Sequence, residues 1–469
     1  MAAETMTSGS RPTRSSACSE TTLSSLLSEH MSLGRAVGLP VYTFRRVLLL
    51  VSCVLGVFQY GMVLTNGVSV QDFNDYYGLS TKDSDTLYSC LNFGACALSF
   101  IPGLCYDRFG SVAAMLLGML IFNAGLVLQI VWTPSFPEWL TTMEGLMFCY
   151  VCFGCASSFF NVIGSFVPLT AFPAKDTGKV SACVQVCMSL GITVQTQAFR
   201  WLQTLGGDSV TNYLIYALVF TDFTGVLMCL VFWSARGMLQ QQESPLTEDL
   251  MSEPPTLSLV ETMRMPELRF MGLLFFVAVG FSFSFLNCQP RIAAEAGVSP
   301  SSLSTIFGVL NAVGRMAVCI PLDYTRRHPL GGVFAYLAVA LAVFALGVGL
   351  LLLPGAKAAQ AGAVEASNAL VAVGYGGLLG IIPPALKFTF GTQHLGLIYG
   401  ILYVGVAISE PLWTMLFAKP PECAGLECYR TYYLSCVLGF SITLALALAM
   451  LWRDSRRARA PSRRAVPPP

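Results

Sequence analysis

Charge is scarce in this chain, and histidine scarcer. Asp, Glu, Lys and Arg make up 11% of the 469 residues, and three histidines occur in all. His30, His328 and His394 fall in segments expected to lie outside any membrane span. No His-x-x-x-His or Glu-x-x-His pattern accompanies them, which argues against a metal-dependent membrane enzyme. A Gly-Lys-Ser/Thr phosphate loop is missing too, so an ATP-driven pump is not expected. The net charge is +1 and offers no electrostatic basis for nucleic-acid binding. No Asn-x-Ser/Thr sequon occurs, so N-glycosylation marks no face of the chain. The start of the chain has no short apolar core, unlike a secretory signal peptide, and the first apolar block begins only near Val47. That block is expected to act as the insertion signal.

Apolar sequence is plentiful. Hydrophobic residues reach 54% and mean hydropathy is +0.64, far from a soluble globular composition. They come in blocks of about 20 residues, the length that crosses a bilayer core. Twelve spans are predicted, at about 47–66, 85–105, 112–132, 142–165, 179–200 and 211–233, then about 269–288, 301–322, 332–353, 367–386, 395–417 and 431–452. The expected organisation is a disordered tail (1–46), a six-helix half (47–234), a polar linker rich in Glu, Pro and Gln (235–267), a second six-helix half (268–452) and a basic tail (453–469). The fold class is therefore an all-α membrane protein. Lys and Arg are unevenly shared, with about 20 on the side that holds both tails and about six on the other, so both termini are expected in the cytosol.

The 16 cysteines lie mostly in apolar blocks, where they behave as small hydrophobes. Cys149, Cys152 and Cys155 recur every three residues on one span. Three successive positions on one helix cannot close a tetrahedral metal site unaided, so a helix-interface role is the reading here. Cys423 and Cys428 flank a short loop on the far side, where they either form a disulfide or remain free thiols.

Between the second and third spans lies Gly103-Leu-Cys-Tyr-Asp107-Arg108-Phe-Gly110. Gly103 allows two helices to approach closely, Gly110 allows a tight turn, and Asp107 and Arg108 can pair with each other or with neighbouring helix ends. A weaker echo follows the eighth span, where Ile320-Pro321 precedes Asp323, Arg326 and Arg327 as Ile101-Pro102 precedes Asp107 and Arg108. The first motif resembles the signature between helices 2 and 3 of the major facilitator superfamily. Further stretches are similar to its nodulin-like branch, related to fungal monocarboxylate-transporter homologues. They are Ser157 to Asn161, Phe172 to Gly178, Asn311-Ala-Val-Gly314-Arg315, and Phe390 to Gly396. Where relatives carry an Arg before Gly178, this chain has Asp176-Thr177. A fainter similarity to the large-neutral-amino-acid facilitators lies in Tyr106 to Gly110. The resemblance implies the major facilitator fold, two six-helix halves that rock about a central site. It also implies gates at Gly103, Asp107, Arg108, Gly110, Asp323, Arg326 and Arg327, held by salt links between helix ends.

Ionisable residues inside spans are costly and need a reason. Arg315 either binds a substrate carboxylate or forms a permanent ion pair between helices. Asp222 either exchanges a proton, since burial disfavours the charged form, or bonds to Thr221 or Thr224 on its own helix. Glu410 poses the same choice beside Pro411. In the superfamily the first, fourth, seventh and tenth helices line the cavity, so Tyr60, Asn161 and Asn287 are counted with Arg315 and its motif neighbour Asn311 as substrate-binding residues. Each could instead be interhelical glue, worth about 1 kcal/mol. The expected function is alternating-access transport of a small polar solute, first an organic anion of monocarboxylate type. Protons are a coupling partner, the protein works as a monomer in the bilayer, and no cofactor or metal is needed. An amino-acid or iron carrier of the same fold and a transporter-like receptor are the alternatives.

Overall fold

A chain crossing a bilayer must satisfy its backbone polar groups internally, and every regular element among the described residues is a helix. The computed structural model describes residues 41–64, 66–130, 142–241, 258–325, 332–353, 357–416 and 426–459. Most of the 1–46 tail, residues 242–257 of the linker, Arg326, Arg327 and Cys423 lie outside them. The chain divides into two units, Met1–Leu48 and Leu49–Pro469. Only residues 41–48 of the first are described, and they are helical.

The helices are α1 (Val41–Val57), α2 (Asn66–Tyr77), α3 (Thr81–Asn92), α4 (Phe100–Ile130), α5 (Met143–Ala171), α6 (Thr177–Thr204) and α7 (Ser209–Gln241). They continue with α8 (Leu259–Arg264), α9 (Pro266–Leu274), α10 (Gly280–Ala296), α11 (Pro300–Thr325), α12 (Val333–Leu350), α13 (Lys357–Phe390), α14 (Leu395–Leu416) and α15 (Arg430–Arg459). Wide π turns at Phe93–Ala97 and Phe275–Val279 join α3 towards α4 and α9 to α10.

Among the described residues, eleven helical segments are long and apolar enough to cross a membrane. One of them, Lys82–Ile130, runs for 49 residues. At 1.5 Å per residue it would be about 74 Å long, more than twice the bilayer core. It breaks at Gly110, whose φ of 82° is left-handed and suits only a residue without a side chain. The eleven segments thus hold twelve crossings, six before the linker and six after it. The linker is not wholly irregular: Ser258 and Glu261 form a capping box that starts α8.

Burial separates inner from outer helices. In the segment containing α13, 83% of the apolar window is buried, against 22% in the segment containing α15. Leu120, Phe223, Leu230 and Leu438 point outward with more than 60% of their surface exposed, as lipid-facing residues do. Two packed seams join the first six spans to the last six. One sets α4 and the π turn before it against α14, and the other sets α6 against α11. The cysteines of α5 lie within helix packing: Cys152 is in contact with Gly125 of α4, and Cys149 and Cys155 are buried. No group of three or more His, Cys, Asp or Glu among the described residues is arranged to hold a metal ion.

Candidate functional site

Arg315 sits midway along α11 and is 1% exposed. Its Nε donates to Asn311 Oδ1 at 3.1 Å, one turn earlier on the same helix. Its Nη1 donates to Gln185 Oε1 on α6, and lies 3.7 Å from Met188 Sδ. Gln185 Nε2 donates to Ser165 Oγ at 3.0 Å, and Ser165 Oγ to Asn161 Oδ1 at 3.4 Å. A chain of side chains therefore runs from α11 through α6 to α5. Every acceptor on the guanidinium is neutral, and no Asp or Glu among the described residues forms a salt bridge with it. The permanent ion pair offered as one reading of Arg315 is not present among the described residues. A buried cation without an anion is an expensive arrangement.

Aromatic rings enclose this layer. Tyr399 and Tyr403 of α14 share a hydroxyl–hydroxyl bond of 3.1 Å. Phe166 meets Tyr399 edge-on at 5.0 Å between centroids, and Phe275 meets Tyr403 at 5.2 Å. Tyr60 lies within electrostatic range of Arg315, Tyr375 and Tyr399. Two buried polar atoms here have no hydrogen-bond partner among the described residues, the Tyr60 hydroxyl and Asn311 Nδ2. Tyr60, Asn161, Asn311 and Arg315 thus lie in one layer. Asn287 does not join them. It is half-buried on α10, about 18 Å along the helix axis from Phe275. Its neighbour Gln289 binds Asn368 and Ser304 near the end of the bundle. The sequence set the type of the seventh span but not its depth.

The two acidic candidates part company. Asp222, on α7, accepts from Asn123 Nδ2 on α4 at 2.8 Å and is half-buried between those outer helices. The expected partners Thr221 and Thr224 are not the ones it uses, because Thr224 turns back to the carbonyls of Phe220 and Thr221. Glu410 is 2% exposed on α14. It accepts from Thr414 at 3.1 Å, Thr414 bonds to Ser284 of α10 at 3.1 Å, and Ser284 meets Tyr432 of α15 at 3.3 Å.

At one end of the bundle two carboxylates cross between the sets of six. Asp107, on α4, accepts from the backbone N–H of Gly396 at 3.3 Å and of Leu397 at 2.8 Å, the first turn of α14. Asp323, on α11, accepts from the N–H of Gly178 at 2.7 Å and of Lys179 at 2.9 Å, the first turn of α6. Each set caps a helix of the other, where unsatisfied N–H groups and the positive end of the helix dipole favour an anion. Salt links were expected at this end; among the described residues, bonds from carboxylate to backbone stand there instead. Arg108 lies over the ring of Phe109, and Asp176 pairs with Lys179 at 3.3 Å on the surface. The departure at Asp176-Thr177 thus leaves the start of α6 to Asp323. Gly103 is the close approach: a Cβ there would stand 2.2 Å from the carbonyl oxygen of Gly396. Lys387, absent from the sequence candidates, completes this end. Its Nζ donates to the Leu169 carbonyl at 2.5 Å, where a cation suits the C-terminus of α5, and to Thr177 at 3.2 Å. A lone lysine closing an apolar helix was the available signal.

The opposite end is bridged as well. Arg291 on α10 pairs with Asp85 on α3, Arg200 on α6 bonds to Ser301 on α11, and Gln203 donates to Asp72 at 3.1 Å. The Arg315 layer lies between two ends, each bridged from one set of six to the other.

Comparison with known proteins agrees with this architecture. The chain is 20% identical over 455 residues to the probable transporter MCH1 of Saccharomyces cerevisiae, covering 86% of this chain and 92% of that protein. A shorter match, 23% over 146 residues, is to the probable transporter mch1 of Aspergillus fumigatus, 28% of this chain and 23% of that one. In fold it is similar to the xylose transporter XylE from E. coli, with TM-score 0.59, 14% identity, and 90% and 100% of the two chains covered. It is also similar to a bacterial homologue of the iron transporter ferroportin, with TM-score 0.60, 15% identity, and 88% and 100% covered. The family model of the Major Facilitator Superfamily matches residues 48–412, and the chain belongs to that superfamily.

Proposed function

We propose that this multi-pass membrane transporter carries a small organic anion by alternating access, with Arg315 as the anion-binding residue. The observation that carries the reading is a fully buried guanidinium bonded only to neutral acceptors, beside the unpartnered donors of Asn311 and Tyr60. A carboxylate entering the layer would supply the missing negative charge and accept from both. The two six-helix halves, 47–234 and 268–452, close on the anion from either side. Both termini face the cytosol, which makes Asp107 and Asp323 the cytosolic gates and Arg291–Asp85 the far one. A proton carried by Glu410 couples to transport, and one chain suffices.

An iron cargo is less well supported, because no metal-holding cluster occurs among the described residues. The test is a thermal-shift panel of monocarboxylates, dicarboxylates, neutral amino acids and divalent metals on purified wild-type protein and Arg315→Ala. A ligand bound only to the folded state raises the melting temperature by mass action. Carboxylates are expected to raise it in wild type, and Arg315→Ala to remove the effect. A shift with metals or amino acids but none with carboxylates would overturn the anion assignment.

A further inference from the structure

We infer that Gln185 sets the specificity of this site: its amide oxygen stands in for the substrate carboxylate on Arg315, and an anion binds by displacing it. The inference rests on the anion reading above and deepens it. Arg315 can only donate, so the Gln185 amide must turn its oxygen to Arg315, and its Nε2 to Ser165 at 3.0 Å. Both bonds are buried, with Gln185 2% and Ser165 2% exposed. The amide is the weaker acceptor of the two that could occupy this place, because a carboxylate adds a full charge to the same bond. A second observation points to a ligand at the same spot. Asn311 Oδ1 is taken by Arg315 Nε, yet Asn311 Nδ2, fully buried, has nothing to donate to.

The charges in reach also fix the kind of anion. Arg315 brings one positive charge. Of the other cations close to the seams, Arg291 pairs with Asp85, Lys179 with Asp176, Lys387 bonds to the end of α5, and Arg200 bonds to Ser301 at the end of the bundle. A monocarboxylate is matched by this site, whereas a dicarboxylate would bury a second charge without a partner. The Gln185–Arg315 bond also joins α6 to α11, one of the two seams between the sets of six. Displacing Gln185 removes a tie at the centre of that seam, so occupancy of the site and mobility of the seam are linked.

The experiment uses the full-length protein in detergent, titrated with lactate, benzoate and succinate and followed by melting temperature. Gln185→Met keeps the side-chain length but removes the strong acceptor. The half-saturating lactate or benzoate concentration should fall about threefold to tenfold, the size of one net hydrogen bond. Gln185→Glu places a carboxylate permanently on Arg315, and monocarboxylate binding should weaken more than about tenfold. Succinate should respond less than lactate in wild type. Gln185→Asn, too short to hold Arg315, repeats the first test if the Met variant elutes as aggregate. Met and Glu variants that weaken lactate binding equally, or leave it unchanged, would overturn the role of Gln185 while the anion reading stands. No monocarboxylate response in either wild type or Gln185→Met would remove the anion reading itself.

Discussion

Two carboxylates inside the bilayer differ in what surrounds them, and the difference leads to separate expectations for each. Glu410 is buried in a ladder of hydroxyls that links α14, α10 and α15. Hydroxyls both donate and accept, so they can serve a carboxylate or its protonated form. Asp222 instead holds a donor amide on an outer helix, away from Arg315. If a carboxyl carries a proton with the cargo, uptake of a transported acid should depend on pH. Glu410→Gln is expected to flatten that dependence, and Asp222→Asn to leave it within about twofold of wild type. A profile flattened by Asp222→Asn alone would exchange the two roles. Arg315 was legible in the sequence because a charge in an apolar run has few innocent explanations. Gln185, Ser165 and Tyr375 were not, since neutral polar residues occur in spans for many structural reasons.

At the scale of the helix, the gates depend on ends rather than on side-chain pairs. A carboxylate at a partly buried helix N-terminus contributes about 1 kcal/mol, enough to shift a two-state balance about fivefold. Asp323→Asn should therefore favour opening at its own end. Cys319, fully buried one turn away with its thiol on the Gly380 carbonyl, is a built-in reporter. Its alkylation by a maleimide, followed by peptide mass spectrometry, should quicken several-fold in Asp323→Asn, while an unchanged rate would mean that the cap does not hold the gate. Sequence reading offered Asp107 either Arg108 or a neighbouring helix end, and the helix end is the one it uses; for Asp323 it offered salt links alone. Charged side chains are visible in a sequence, whereas the N–H groups of a distant helix are not. Span number was legible from hydropathy, and so was the break between the second and third spans, because Gly110 is read from the sequence as a tight turn and its φ is 82°.

For the whole molecule, both ends are tied at once, and the ties are of different chemistry. One end is held by carboxylates on backbone amides, the other by the Arg291–Asp85 ion pair. Alternating access requires that loosening one end leave the other closed. Arg291→Ala should speed maleimide labelling of Cys288, buried on α10 one turn from Arg291, and leave Cys319 slow. Asp107→Asn should do the reverse. Parallel acceleration of both cysteines in either variant would mean that the two ends are not alternatives. The general plan of two sets of six was readable from span spacing and the polar linker. The depth of each polar residue was not, and Asn287 is the case in point.

The capped helix starts carry a consequence for mutational tolerance. A gate built from two side chains can be lost by changing either one. Here the donor at Lys179 and at Leu397 is the peptide N–H, which nineteen of the twenty amino acids supply. Drift at those two positions leaves the lock intact, and proline is the one replacement that takes the donor away.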